Sequence, residues 1–281
     1  MHRYKEHADR CGKEGDGMSE LKPKLSLAKD LLESSKSMTV DQARFLVDTY
    51  YQIQDARIRA AAQVRSLVSS EEPHSLLDWV GDVNAELENK IKSTLNIYAT
   101  HNPVGQWSLS ITGIGPVIAA GLLAHIDITQ APTVGHIWRY AGQDPTCTWE
   151  KGQKRPWNAS LKTLCWKIGE SFVKVSGNKK DIYGQYYLQR KEQEIIKNDN
   201  LEFKDQAEVK AKIVGKSTEA YKSYSIGKLP KGHIHARAKR YAVKLFLSHW
   251  HEVAYREHFK AEPPLPYPIA HLGHAHHIKA A

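Results

Sequence analysis

The sequence predicts a mainly α-helical protein, with a long antiparallel helical hairpin followed by a compact all-helical domain that contains a helix-hairpin-helix. Three observations indicate this fold class. Apolar residues recur every three or four positions, alternating patterns typical of strands are almost absent, and glycines and prolines separate the periodic segments. With 281 residues, the chain is long enough for one large core or two modest ones.

The N-terminal third predicts an arm and a helical hairpin. Its start is polar and without a hydrophobic period, so we expect a flexible arm over 1–38. Two apolar stripes follow within 39–101, and Asp41 is the predicted N-cap of the first. The stripes comprise Leu46, Tyr50, Ile53, Ala60, Val64 and Leu67, then Leu76, Val80, Val83, Leu87, Ile91, Leu95 and Tyr98. A break at 70–73 predicts an antiparallel coiled-coil arm, through which we expect a homo-oligomer to form.

A glycine-containing hairpin over 107–125 is the most informative segment. It predicts a helix, a tight turn over 112–115 and a second helix opened by Pro116, because proline is pre-organised for the first helical position and glycine tolerates positive φ. Free amides at the start of that helix favour an anion. The predicted nucleic-acid-binding residues here are Gly113, Ile114, Gly115 and Val117. The alternative is a helical corner in which the glycines serve close packing alone.

The rest of the chain predicts further helices and a tail. A loop spans 146–157, and a tail rich in proline and histidine covers 261–281. We assign 102–260 to the all-helical domain. Its remaining predicted helices lie near 132–140, 158–175, 181–197, 203–214 and 233–259.

Positive charge is concentrated in the second part of the chain. Residues 1–100 contain 14 Lys+Arg against 16 Asp+Glu, whereas the remainder contains 26 against 15. Ten basic residues lie between 151 and 191, and seven lie between 220 and 251, where there is no acid. This asymmetry predicts a polyanionic partner. A solvated basic face without a partner is the alternative.

Cations in the loop and the last helix extend the predicted binding surface. Trp149 and Trp157 alternate with the loop cations, which suits stacking on unpaired bases as well as phosphate contact. The alternative is that these tryptophans anchor the loop in the core. The predicted phosphate-contacting cations are Lys151, Lys154, Arg155, Lys162, Arg237, Lys239 and Arg240. Neutralising six phosphates would give a log–log salt slope of roughly −5.

Other classes of site find little support in the sequence. Three scattered cysteines without a Cys-x-x-Cys pair argue against a disulfide framework. The longest apolar run, Val117 to Ala124, is too short to span a bilayer, so we expect a cytoplasmic protein without a membrane partner. We expect no cofactor, because nucleotide-binding and zinc-protease motifs are absent. Four histidines within 271–277 suit a transition metal, but we interpret them as an incidental tail and predict no metal site.

Five landmarks succeed one another in a family-specific order. They are Gly113–Ala120, Trp138–Pro145, Leu161–Leu164, Tyr183 with Tyr187, and Ala238–Phe246. This order, over about 107–258 with an insertion near 192–228, resembles the C-terminal domain of the bridge-RNA-guided insertion-sequence transposases (the IS-one-ten group). In that family a coiled coil also precedes the domain. The resemblance implies a nucleoid-associated protein of a mobile element that binds double-stranded DNA in transposition or recombination, with structured RNA as a possible second partner.

The family's catalytic parts have no counterpart in this sequence. Its members carry an N-terminal RuvC-like domain with four metal-binding acids, whereas only about 40 residues precede the first long helix here. The window matching the family's nucleophilic serine holds Cys147 and Thr148 instead, and each would need an activating base. We therefore expect an accessory or catalytically incomplete transposase. The alternatives are an active transposase with a non-serine nucleophile or partner-supplied acids, and an RNA-binding module.

Overall fold

The structure, a computed structural model, describes residues 29–69, 75–266 and 278, and every regular element in these ranges is a helix. This confirms the predicted mainly α fold. Short 3-10 helices cover Ser35–Ser37 and Ile128–Gln130. The α-helices are α1 (Lys29–Ser34), α2 (Val40–Val68), α3 (Ser75–Thr100), α4 (Pro103–Ser110), α5 (Pro116–His125), α6 (Val134–Tyr140), α7 (Ala159–Val175), α8 (Ile182–Asp199), α9 (Lys204–Ala211), α10 (Glu219–Tyr224) and α11 (Lys231–Phe259).

Helices α2 and α3 pack side by side in opposite directions. The guanidinium of Arg57, in the second half of α2, lies 2.6 Å from the carboxylate of Glu88, whereas Val47 near the start of α2 packs with Leu95 near the end of α3. The predicted break at 70–73 lies outside the described residues. So do residues 1–28 of the predicted arm, whereas 29–37 form α1 and a 3-10 turn.

The first cap of this hairpin differs from the sequence prediction. Asp41 is not the N-cap of α2, because Thr39 takes that position and its hydroxyl accepts a hydrogen bond from the amide of Gln42. The Gln42 side chain in turn accepts from the amide of Thr39 at 2.9 Å. This reciprocal capping box satisfies two donors that a helix end leaves unpaired, so it fixes the start of α2 two residues earlier.

Helix α5 connects the arm to the rest of the molecule. One side contributes Val117 and Ala120 to a cluster with residues of α2 and α3, and the other side contributes Ala119 and Leu122 to the main core. Nine of its ten residues, all except His125, are apolar or glycine, which is the composition of a helix buried on every side. The turn that precedes α5 is therefore held between the arm and the compact domain.

The main core gathers α4 to α8 around the long helix α11. Aromatic rings of Phe172, Tyr183 and Phe246 lie with centroids 5.0 to 5.6 Å apart, which is the range of favourable aromatic pairs. Helices α9 and α10 add a small separate cluster around Tyr224 and Ile234. The sequence did not predict α10, a helix of 6 residues whose start is capped by the Thr218 side chain.

The C-terminal tail follows a left-handed cap at Lys260, which ends α11. The histidine cluster of 271–277 lies outside the described residues, so its prediction stays untested. Among the helices that the structure describes, none is long and apolar enough to cross a membrane.

Candidate nucleic-acid interface

The turn between α4 and α5 depends on Gly113. Its φ is +93°, which favours glycine, and its carbonyl accepts a hydrogen bond from the Ser171 hydroxyl of α7. A Cβ at this position would lie 3.1 Å from the Val175 methyl and 3.2 Å from the Ser171 oxygen. The backbone conformation therefore requires glycine, a Cβ would in addition be tightly packed, and the turn is fixed against α7.

Gly115 departs from the sequence prediction, which gave both glycines the same conformational role. Its φ of −97° and ψ of 175° are extended values that any residue adopts, and a Cβ would meet nothing within 4 Å. Gly115 is the N-cap of α5, and it has no side chain to accept a hydrogen bond from the first amides of that helix. The position is therefore open to substitution.

The first turn of α5 carries unpaired donors. Within the described part of the chain, the amides of Val117 and Ile118 donate to no protein acceptor. Val117 as a whole is buried, and it lines the cavity described below together with Ile118. Ile114 contributes no free donor, contrary to expectation, because its amide donates to the carbonyl of Ile111 at 3.0 Å and its side chain is buried.

A groove of about 410 Å³ opens at these amides, and we call it the turn groove. Three lysines line it, Lys92 from α3 and Lys167 and Lys174 from α7. Its residues are Tyr50, Tyr51, Gln54, Lys92, Gly113, Gly115, Pro116, Val117, Ile118, Trp166, Lys167, Glu170, Ser171 and Lys174. The arm, the turn and α7 therefore surround one cavity that contains backbone donors and ammonium groups.

The positive charge of the lysines in the turn groove is only partly balanced by nearby carboxylates. Burial lowers the pKa of Lys167, the nearby Asp55 opposes this shift, and the like charge of Lys174 lowers the pKa further. The Lys167 ammonium also lies 3.8 Å from the centroid of the Tyr51 ring, a cation–π contact. The carboxylate in the lining, Glu170, is ion-paired with Lys239 of α11. The groove therefore has an excess of positive charge.

The predicted loop cations form a second group around two tryptophans. Lys151 and Lys154 are exposed, and the Arg155 guanidinium lies 5.4 Å from the Trp149 ring centroid. The indole N–H of Trp149 donates to a carbonyl within the same loop, which holds this ring at the surface. Trp149 is thus exposed, whereas Trp157 is half-buried.

Helix α7 connects the loop to the turn groove. Near its start the Lys162 ammonium lies 3.7 Å from the Trp157 ring, and burial and the charge of Arg155 lower the pKa of Lys162. Trp166 and Glu170 follow at four-residue intervals on the same face. The helical rise places Lys162 about 14 Å along the axis from Ser171, which contacts the turn. The two groups are therefore about two and a half helical turns apart along α7.

The predicted cations of α11 separate into different environments. Lys239 is ion-paired with Glu170, and Glu170 in turn lines the turn groove. Arg237 instead pairs with the buried carboxylate of Glu194 at 2.5 Å and lies 4.4 Å from the centroid of a phenylalanine ring. Arg240, one turn further along, is exposed. The charge of Arg237 is therefore largely neutralised by Glu194 within the protein.

The two candidate nucleophiles lie in the loop before α7. Thr148 is exposed and Cys147 is half-buried. The nearby carboxylate of Asp144 accepts hydrogen bonds from the amide and hydroxyl of Thr146, at 2.9 and 2.8 Å. In the described ranges, no carboxylate or imidazole is hydrogen-bonded to either candidate, and no cluster of metal-ligating side chains is found.

Four residues of the interface had no assigned role from the sequence alone. Lys167, Lys174 and Trp166 occupy the side of α7 opposite its buried apolar stripe, and that helical periodicity is a signal that identifies them. Lys92 gives no local signal, because only the packing of α3 against α5 brings it to the turn.

Comparison with known proteins adds no assignment. No family model matches the sequence, and neither a curated protein nor a solved structure matches it significantly.

Proposed function

We propose that this protein binds double-stranded DNA through its sugar-phosphate backbone at the turn groove. The observation that carries the proposal is the meeting of unpaired Val117 and Ile118 amides with Lys92, Lys167 and Lys174 in one cavity. Both kinds of donor favour an anionic oxygen, and neither reads the identity of a base.

The electrostatics of the groove support a phosphate rather than a neutral ligand. The N-terminus of a helix carries roughly half a positive elementary charge, and hydrogen bonds to an ionised group are about twice as strong as neutral ones. The exposed cations of the loop, Lys151, Lys154 and Arg155, extend the positive surface along α7. An extended, repeating polyanion engages both regions at once, whereas a single small anion engages one.

The order of sequence landmarks supports a role in DNA transposition. Under this proposal the protein is an accessory or catalytically incomplete transposase of a mobile element, and the helical arm provides contacts between copies. This part of the proposal rests on the resemblance to the IS-one-ten group. The contacts of the turn groove support DNA binding independently of that resemblance.

The test is a salt titration of binding to a short labelled duplex. Lys92→Gln, Lys167→Gln and Lys174→Gln should each weaken binding and reduce the log–log salt slope by about one. Lys216→Gln is the matched control, because Lys216 is an exposed lysine that does not line the groove. Equal slopes for all four variants and the native protein would overturn the proposal.

Two further arms separate the remaining alternatives. Competition by structured RNA at matched salt, with higher affinity than the duplex, would favour the RNA-binding module. Nicking of supercoiled DNA with Mg²⁺ or Mn²⁺ that is lost in Thr148→Val or Cys147→Ala would favour an active transposase.

A further inference from the structure

Trp166 is the most exposed of the seven tryptophans, with 58% of its surface accessible. Trp79 in the arm follows at 50% and Trp149 in the loop at 38%, while the other four are half-buried or buried. Proteins that bind single-stranded nucleic acid use accessible aromatic rings as platforms on which bases stack. Helix α7 is otherwise well packed, with Leu161, Ile168 and Phe172 fully buried.

The surroundings of Trp166 are cationic. The ring lines the turn groove together with Lys167, and the Lys239 ammonium lies 5.9 Å from its centroid. Lys162 precedes it by one helical turn on the same face. The nearby carboxylate of Glu170 is ion-paired with Lys239, so it does not repel an anion as an isolated carboxylate would.

We propose that Trp166 is a base-stacking residue, and that the turn groove takes an unpaired nucleotide of the bound DNA. Its base would lie on the indole face while its phosphates contact Lys167 and the neighbouring lysines. This inference rests on the proposed DNA-binding function and adds a preference for unpaired DNA over continuous duplex.

The ligand class follows from the combination of groups. An exposed aromatic ring alone suits many partners, but an aromatic ring surrounded by lysines suits a ligand that joins a flat π-surface to a negative charge, as a nucleotide does. The base of a continuous duplex is already stacked on its neighbours and presents no free face. The groove volume of about 410 Å³ lies within the range of cavities that enclose small ligands.

The test compares three short labelled DNAs of equal length, and the two gapped DNAs also carry the same number of phosphates. One is an intact duplex, the second carries a short single-stranded gap, and the third carries the same gap with abasic sites in place of its nucleotides. We expect the gapped duplex to bind about tenfold more tightly than the abasic one, because stacking of one base contributes that order of affinity. Tryptophan fluorescence should be quenched by the gapped duplex and not by the abasic one.

Variants assign this preference to one ring. Trp166→Leu should remove the tenfold preference and the quenching, and Trp166→Phe should restore part of the preference. Trp79→Leu is the matched control, because its ring has similar exposure but lies beside Asp78 and Asp82 in the acidic arm. Circular dichroism and thermal unfolding establish that each variant is folded.

The outcomes distinguish the two proposals. If the lysine variants weaken binding but Trp166→Leu leaves the ratio of gapped to abasic affinity unchanged, DNA binding stands and base stacking is overturned. If neither lysine nor Trp166 variants change any affinity, both proposals fail. If the native protein binds the intact duplex and the gapped duplex with equal affinity, the stacking proposal is also overturned.

Discussion

Gly115→Asp should stabilise the protein while weakening its binding to DNA. Gly115 is the N-cap of α5, its φ of −97° suits any residue, and a Cβ there meets nothing within 4 Å. Aspartate is among the preferred N-cap residues, because its carboxylate accepts hydrogen bonds from the second and third amides of a helix. Those amides belong to Val117 and Ile118, the donors that we assign to a phosphate.

The size of both effects follows from the geometry. Gly115→Asp should add about 1 kcal/mol to the free energy of unfolding. The gain comes from the helix cap, from the carboxylate at the positive end of the helix, and from the loss of a glycine from the unfolded chain. In a domain of this size that gain raises Tm by about 3 °C. The lost phosphate contact comprises two charge-assisted hydrogen bonds, so affinity should fall by about 100-fold.

Thermal unfolding and anisotropy with a labelled duplex measure the two effects on one preparation. Gly115→Ala supplies neither a cap nor a charge, so it should bind as the native protein does and gain less in Tm than Gly115→Asp. Gly115→Asn caps without charge and should weaken binding less than aspartate. A variant Gly115→Asp that gains stability yet binds DNA with native affinity would refute phosphate binding at these amides. Gly113→Ala should instead lose about 1–2 kcal/mol of stability, because φ is +93°.

Two further predictions concern stability. Gly184→Ala should destabilise the protein by about 2 kcal/mol, because the added Cβ would lie 1.8 Å from the carboxylate of the buried Asp181. The measurement is a urea titration. Gly177→Ala is the control, because a Cβ at that position would have nothing within 4 Å. Stability should also fall as pH decreases below about 6.5, since burial lowers the pKa of His125 and His251 in the folded state and the unfolded chain takes up protons first. Urea midpoints that stay constant as the pH falls through this range would contradict the second prediction.

Much of the fold was predictable because helical periodicity is a local signal. The stripes that predicted α2 and α3 lie on half-buried or buried faces, apart from the exposed Leu76, and the observed helix bounds differ from the predicted ones by a few residues. The error at the first cap arose from choosing Asp41, although the pattern of a threonine followed three residues later by glutamine was present at Thr39. Helix α10 escaped prediction because six mostly polar residues contain too little periodicity to distinguish a helix from a loop.

The site was predictable only where its chemistry is local. Gly113 and the helix opened by Pro116 lie within a few residues of each other, so the sequence alone indicated the turn. Whether the amide of Ile114 is free depends on its bond to the carbonyl of Ile111, and whether Lys92 reaches the turn depends on the packing of the arm against α5. Such long-range placement has no signature in the spacing of residues along one segment.

The number of basic residues in a sequence overestimates the charge that faces a partner. Arg237 and Lys239 both counted toward the predicted surface, yet each is ion-paired with a carboxylate of another helix. A protein that binds phosphates through the three lysines of the turn groove alone should show a salt slope of about −3 rather than −5. A steeper slope would require the exposed loop cations to contact the same DNA. Because Lys162 links that loop to the groove along α7, the slope measures how far the DNA extends over this surface.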